Sequence, residues 1–272
     1  MSTRSTITLT APGGGIVELD ADGAHVTRWR DAAGREQLFL SSASQFGPGA
    51  AIRGGVPVIF PQFSDFGGGQ RHGFARNLRW TLIEQSEAHA RLTLAASDVT
   101  RALWPHEFEV TYTVTADDRA LSLALDVRNT GQAPFDFAAA LHTYFAVNDI
   151  DAAEIHGLNG VEGFDNNHRN IVFAEGAPSL RFAGEVDRVF FDAPRSLELL
   201  DGERKLRIES ETFPDAVVWN PGAEKSAALS DMEPDGYRRF VCVEAAIVRD
   251  RVTLGADDCW RGAQKLLVDA SG

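Results

Sequence analysis

The sequence predicts an all-β fold in which large antiparallel sheets pack face to face. Three observations carry that prediction. Along most of the chain apolar and polar residues alternate with a period of two. No long stretch places apolar residues at i, i+3, i+4 and i+7, the spacing of a core-facing helix. The 25 glycines and 11 prolines are spread evenly, which suits many strand-to-strand turns and marks no linker. At 272 residues with no internal repeat, the expectation is one domain over 1–272, large enough to bury its core without disulfide staples.

The elements follow in order. Ile16–Leu19 reads as a strand, and so does Leu92–Ala95. Between them lies IRGGVPVIFPQFSDFGGGQRHGFAR, Ile52–Arg76. Pro57 and Pro61 stiffen it and Gly54-Gly55 allow close backbone approach, so it is a shaped loop. Asp98–Leu103 suits one helical turn, stopped ahead of Trp104-Pro105. In Glu107–Thr115, Phe108, Val110, Tyr112 and Val114 share one face; Asp117-Asp118 turns the chain, and Leu121, Leu123, Leu125 and Val127 alternate on the way back. Phe135–Val147 reads as one strand. The flanks of Asp201-Gly202 form a second hairpin, that dipeptide supplying the two positive-φ residues of a type I′ turn. Ala216–Trp219, Phe240–Val248 and Gln264–Val268 are further strands, and Lys225–Met232 a second helical turn.

Charge and cysteine content exclude several classes. Lys and Arg total 26 against 39 Asp and Glu, a net charge of −13, which argues against a nucleic-acid or anionic-membrane binder. An anionic ligand must therefore be met by a few placed cations, mostly arginines. The two cysteines, Cys242 and Cys259, form no CxxC pair, so no zinc knuckle or thioredoxin motif is present. MSTRSTITLTAPGGG has no apolar h-region, and no run approaches about 18 apolar residues. A cytoplasmic monomer with reduced thiols is expected.

Three segments hold residues suited to chemistry. The Ile52–Arg76 loop collects Arg53, Gln62, Arg71, His72 and Arg76 but has no GxxxxGK[ST], so a phosphate there would be held by guanidiniums. Composition alone favours a surface loop with solvated arginines. In Phe135–Val147, His142 shares a face with the small residues Ala138 and Ala140, which leaves room for a ligand; a satisfied core histidine is the commoner outcome. Glu244 lies in the apolar run RFVCVEAAIV, on one face with Cys242 and Ala246. An unpaired buried carboxylate is costly, so Glu244 is either ion-paired or functional. Asp187, in GEVDRVFF, suits a turn or a sugar hydroxyl equally. No HxH, HExxH or GxSxG pattern occurs, so metal-centred and serine-nucleophile chemistry have no support. One His and one Glu on separate strands, with arginines nearby, point to acid/base work on a polar or anionic small molecule.

IRGGVPVIFPQF, RHGFAR, LHTYF, GEVDRVFF and VVWNPGAEKSAALSDMEPDGYRRFVCVEAA occur in that order between Ala51 and Ala246. Together they resemble the aldose 1-epimerase superfamily, most closely its hexose-6-phosphate mutarotase branch (glucose-6-phosphate 1-epimerases). The resemblance implies a galactose-mutarotase-like β-supersandwich that exchanges α and β anomers with no metal or organic cofactor. It implies that Glu244 is the general base and His142 the general acid, with His72 and Asp187 holding the sugar and Arg53 and Arg76 the phosphate. A carboxylate near His142 is expected to raise the imidazole pKa. Two positions depart from the branch: Arg71 replaces Gln ahead of the HG pair, as a third phosphate contact or a solvated residue, and Gly222 replaces Trp after Pro221, removing an aromatic wall. A noncatalytic carbohydrate-binding module on the same fold and a mutarotase for neutral aldoses are the alternatives. A glycoside hydrolase, which needs two carboxylates across the bond, would have to pair Glu244 with Asp187.

Overall fold

The computed structural model describes residues 6–47, 49–168, 171–202 and 204–269. Its two largest sheets, of nine and eight strands, are antiparallel throughout. A three-stranded sheet built from Thr6–Thr10, Ile16–Asp20 and His25–Arg30 packs beside them. Among the described residues, no helix is long and apolar enough to cross a membrane.

The predicted hairpins build the nine-stranded sheet. Phe108–Asp117 pairs with Ala120–Asn129, and Ser196–Asp201 with Arg204–Glu211. Val110, Tyr112, Val114, Leu121, Leu123 and Leu125 are fully buried against Val218, Val241 and Val243 of the eight-stranded sheet. Burying each aliphatic side chain contributes about 1.5–3 kcal/mol, which is why the period-two pattern fixes which face turns inward. In the second hairpin Asp201 pairs with Arg204, so the turn is centred one residue later than predicted, with Gly202 at φ 62°. Glu203, its other central residue, lies outside the described residues. The first hairpin shifts likewise: Asp117 pairs with Ala120, leaving Asp118 and Arg119 in the turn.

The eight-stranded sheet runs Val172–Ala174, Glu162–Asp165, Val186–Phe190, Asp215–Asn220, Phe240–Ala246, Ala140–Leu141, Val58–Ile59, with Tyr144–Ala146 also on the Phe240–Ala246 strand. Here the single strand expected over Phe135–Val147 is corrected to three pieces, Phe135–Phe137, Ala140–Leu141 and Tyr144–Ala146. The break has a local cause: the Thr143 N–H bonds back to Leu141 instead of across to Val243, while the His142 and Tyr144 N–H groups carry on the other edge, to Pro57 and Gly55. Register is nevertheless kept, since Leu141 faces Ala245 and Tyr144 faces Cys242.

Two smaller corrections concern helices and turns. The second helix is Gly222–Ala227, earlier than the predicted Lys225–Met232. The first, Asp98–Leu103, is as predicted, with Ser97 and Thr100 forming a capping box. Within the Ile52–Arg76 segment, Val58–Ile59 joins the sheet and Ala75–Asn77 forms a 3-10 turn. Gly55, at φ 62°, passes so close to the Val26 carbonyl that a Cβ would collide with it.

Candidate active site

The eight-stranded sheet has one face toward the main core and one toward a cavity of about 290 Å³. Two cross-strand rows form the floor of that cavity. Asp187, Trp219, Cys242 and Tyr144 are successive partners across four strands. In the next row Val189, Val217 and Glu244 are partners, and the kept register sets His142 opposite Glu244. The alternation that buries Val241, Val243 and Ala245 in the core thereby turns Glu244 to the cavity.

Glu244 and His142 form a buried pair. His142 Nε2 lies 3.3 Å from Glu244 Oε1, and their side chains are 11% and 2% exposed. The remaining polar atoms, His142 Nδ1 and Glu244 Oε2, are sealed from solvent and have no partner among the described residues. The His142 ring stacks on Tyr144 at 5.0 Å and meets Trp219 edge-on at 5.9 Å, which fixes its plane.

The electrostatics correct one expectation. Burial, then His72, Arg76 and Arg53, holds the His142 imidazole well below its ordinary pKa. Burial and then Asp187 push the Glu244 carboxyl well up. The neighbouring carboxylate therefore does not raise His142; desolvation dominates because both groups leave water. Burial thus disfavours the charged form of each group.

The basic loop brings its residues to the same cavity. His72, at φ 64°, is tied to Ser64 twice: its N–H donates to the Ser64 carbonyl at 2.8 Å, and its Nδ1 accepts the Ser64 N–H at 3.3 Å. Burial and then Arg76 push the His72 pKa down to about 3, so the ring is neutral. With Nδ1 accepting, the proton sits on Nε2, and His72 presents a donor. Its ring meets His142 edge-on at 5.7 Å.

The arginines differ from one another. Arg53 is bidentate to Asp231, at 3.2 and 3.1 Å, and donates to the Tyr144 hydroxyl at 3.1 Å. Tyr144 first, and also Asp231, holds its guanidinium above the ordinary value. Arg76 is half-buried, has no carboxylate partner among the described residues, and keeps an unpartnered, solvent-sealed Nε. Burial lowers its pKa, an electrostatic cost that a bound anion would relieve. Arg71 is exposed at the rim, and its carbonyl accepts from Arg76 at 3.4 Å.

Asp187 lies on the Val186–Phe190 strand, not in a turn. Its carboxylate accepts from Asn166 at 3.1 Å, and burial pushes its pKa up to about 6. The residues given a role by the resemblance, together with Arg71, which departs from it, thus line one cavity, whereas Gln62 does not and instead ties its own loop through Ser64 and Gly69. Sequence reasoning missed Asn166, Trp219 and Lys225 as lining residues, and Asp231 as the counter-ion of Arg53. Trp219 had a usable signal, standing in VVWNPG on a predicted strand; Asp231 had none, being 178 residues from its partner.

Gly222 is explained by its backbone. It is buried at φ 63°, and a Cβ there would lie 2.7 Å from the Glu185 backbone nitrogen. The missing aromatic therefore leaves no hole; the Gly184-Glu185 segment fills the space, and Glu185 ion-pairs with Lys225 at 2.6 Å on the cavity rim. Gly222→Ala is expected to cost about 1–3 kcal/mol from left-handed backbone strain alone, read as a lower urea midpoint.

Comparison with known proteins agrees with this geometry. The chain is 37% identical over 254 residues to a protein of Cenchrus ciliaris provisionally named glucose-6-phosphate 1-epimerase, covering 88% of this chain and 77% of the relative. A relative of the same provisional name in Escherichia coli K12 is 36% identical over 236 residues, 82% of this chain and 77% of its own length. Among solved structures, YeaD of Salmonella typhimurium, provisionally described as a mutarotase, superposes with TM-score 0.88 at 29% identity, covering 97% of this chain and 90% of that one. Slr1438 of Synechocystis shares the fold at TM-score 0.86 and 18% identity, over 99% and 97% of the two chains. The aldose 1-epimerase family profile matches residues 5–266, and the chain belongs to the aldose 1-epimerase family.

Proposed function

We propose that this mutarotase acts on a hexose 6-phosphate, with glucose 6-phosphate the first substrate to test. The observation that carries the substrate is Arg76, a half-buried cation with no anion among the described residues, on the cavity that also holds His142 and Glu244. Arg53, pre-aimed by Asp231, and Arg71 at the rim complete the anion end. Guanidinium forks suit a phosphate, which takes two parallel hydrogen bonds from each. His72, through its Nε2 proton, and Asp187 hold sugar hydroxyls. The names of the relatives point to the same substrate. The cytoplasmic location proposed with it accords with the free thiols of Cys242 and Cys259.

The chemistry needs a single proton on the pair. In the cyclic sugar complex Glu244 is the carboxylate and His142 the imidazolium. Glu244 takes the proton of the anomeric hydroxyl, C1=O1 forms, the C1–O5 bond breaks, and His142 protonates O5. The pair is then carboxylic acid and neutral imidazole. Burial disfavours the charged form of both groups, so this neutral arrangement is the one the surroundings favour. Rotation about C1–C2 presents the other carbonyl face. His142 then takes the O5 proton, O5 attacks C1, and Glu244 returns its proton to O1.

The test is anomer exchange followed by NMR, with glucose 6-phosphate, glucose and galactose at matched concentration. Exchange above the protein-free rate with a strong preference for the phosphate supports the reading. Acceleration of the neutral sugars alone would keep the acid/base pair and remove the phosphate end. No acceleration by folded protein would leave a carbohydrate-binding module.

A further inference from the structure

The Cys259–Val268 strand of the nine-stranded sheet turns Gly262, Gln264 and Leu266 inward. Gln264 is the polar exception. It has no exposed surface, and its amide sits in the core between the two sheets. Burying a primary amide is favourable only if its hydrogen bonds are met, and here both ends are. The Thr143 hydroxyl donates to Gln264 Oε1 at 2.6 Å, and Gln264 Nε2 donates to the Val243 carbonyl at 3.2 Å. Thr143 and Val243 are themselves buried and are joined by a 3.2 Å hydrogen bond from the Val243 N–H to the Thr143 carbonyl.

The two residues that Gln264 grips follow His142 and precede Glu244 in the chain. Alternation puts Thr143 and Val243 on the core face directly beneath the pair. This is also where the strand is broken: His142 and Thr143 lie between Ala140–Leu141 and Tyr144–Ala146, and their N–H groups turn to Pro57 and back to Leu141. Of the two ladder bonds expected between Thr143 and Val243, the one from the Val243 N–H to the Thr143 carbonyl is kept, and the one from the Thr143 N–H to the Val243 carbonyl is lost. One side chain from the opposite sheet takes up the Val243 carbonyl so released and holds the Thr143 hydroxyl as well.

We propose that Gln264 is a positioning residue for the mutarotase reaction, clamping the Thr143 hydroxyl to the Val243 carbonyl so that His142 and Glu244 keep their spacing. It touches no substrate, since the sheet lies between it and the cavity. The proposal rests on His142 and Glu244 being the acid/base pair. A misplacement of catalytic groups by about 1 Å costs on the order of 10²-fold in rate, so a residue acting this way should move kcat and leave KM in place. The anion end, on the loop around Arg71–Arg76, is not held by this clamp.

The variants are Gln264→Met, which keeps volume and removes the amide, Thr143→Val, which removes only the hydroxyl, and Thr143→Ser, which keeps it. Each is measured on protein shown to be folded, as NMR anomer exchange of glucose 6-phosphate. We expect kcat to fall about 10–100-fold in Gln264→Met and in Thr143→Val with KM within about twofold. Thr143→Ser should retain most of the rate. The double variant should be no slower than the slower single, because both remove one device. If Gln264→Met does not fold, the Thr143→Val and Thr143→Ser pair decides alone. Unchanged kcat in folded Gln264→Met, equal rates for Thr143→Val and Thr143→Ser, or losses that multiply in the double variant would overturn the proposal. Glu244→Gln, run alongside, separates the two claims: if it keeps full rate the acid/base assignment has failed, and if it alone is inactive only the clamp has.

Discussion

Glu244→Gln lowers kcat for hexose 6-phosphate anomerisation by about 10²–10⁴-fold, the range expected for removing a positioned acid/base group. The amide preserves shape and hydrogen-bonding length but cannot accept the anomeric proton or return it. Folding should survive, because burial disfavours the charged carboxylate and the amide is a neutral group of the same shape. The pH dependence of stability gives a second readout. The folded pKa of Glu244 is raised well above 4.5 by burial. Its contribution to stability is therefore full below the unfolded value and is lost as pH rises through the folded one. Wild type gives up stability across that window and Glu244→Gln does not, so the variant's advantage in urea unfolding should be larger at pH 8 than at pH 5. Full exchange activity in the variant would sink the base assignment.

Arg76→Met weakens kcat/KM for the phosphate by about 10²-fold and changes a neutral aldose by less than about threefold. Each hydrogen bond to a charged partner is worth about 1.5–3 kcal/mol, and tenfold corresponds to about 1.4 kcal/mol, so one or two lost phosphate contacts give this size. Stability should hold or rise, because the variant removes a poorly solvated cation with an orphaned Nε. Asp231→Asn should act in the opposite sense, tightening phosphate binding severalfold, since it removes the negative charge bidentate to Arg53. Parallel kinetics on glucose 6-phosphate and glucose decide both. Equal losses for the two sugars in Arg76→Met would refute a phosphate end at this arginine.

What was legible in the sequence was whatever depends on near neighbours. Alternation in Glu107–Thr115 and in the run around Glu244 fixed strand faces, because one buried face requires a period of two. The same rule exposed Glu244, a carboxylate in an apolar run, and put His142 on a face with small residues. The parts that escaped depend on residues far apart. The bonding of His142 and Tyr144 to Pro57 and Gly55, over eighty positions earlier, is invisible in either motif alone. The role of Arg53 changes once Asp231 is seen beside it. Gly222 looked like a lost aromatic until the Glu185 backbone was found in that space. The expected pKa direction at His142 failed for the same reason, since proximity of a carboxylate is readable from two motifs but depth of burial is not.

The floor of the cavity is assembled from His142 and from strands at Tyr144–Ala146, Val186–Phe190, Asp215–Asn220 and Phe240–Ala246. Its walls reach back to Arg53. No contiguous third of the chain contains both His142 and Glu244, the proposed acid/base pair. During refolding, the local hairpins of the other sheet can close early at little loop-closure cost, whereas this sheet must wait for long-range pairing. Far-ultraviolet signal should therefore return ahead of enzymatic activity, and a ribosome-bound chain has no working site until its last strands have emerged.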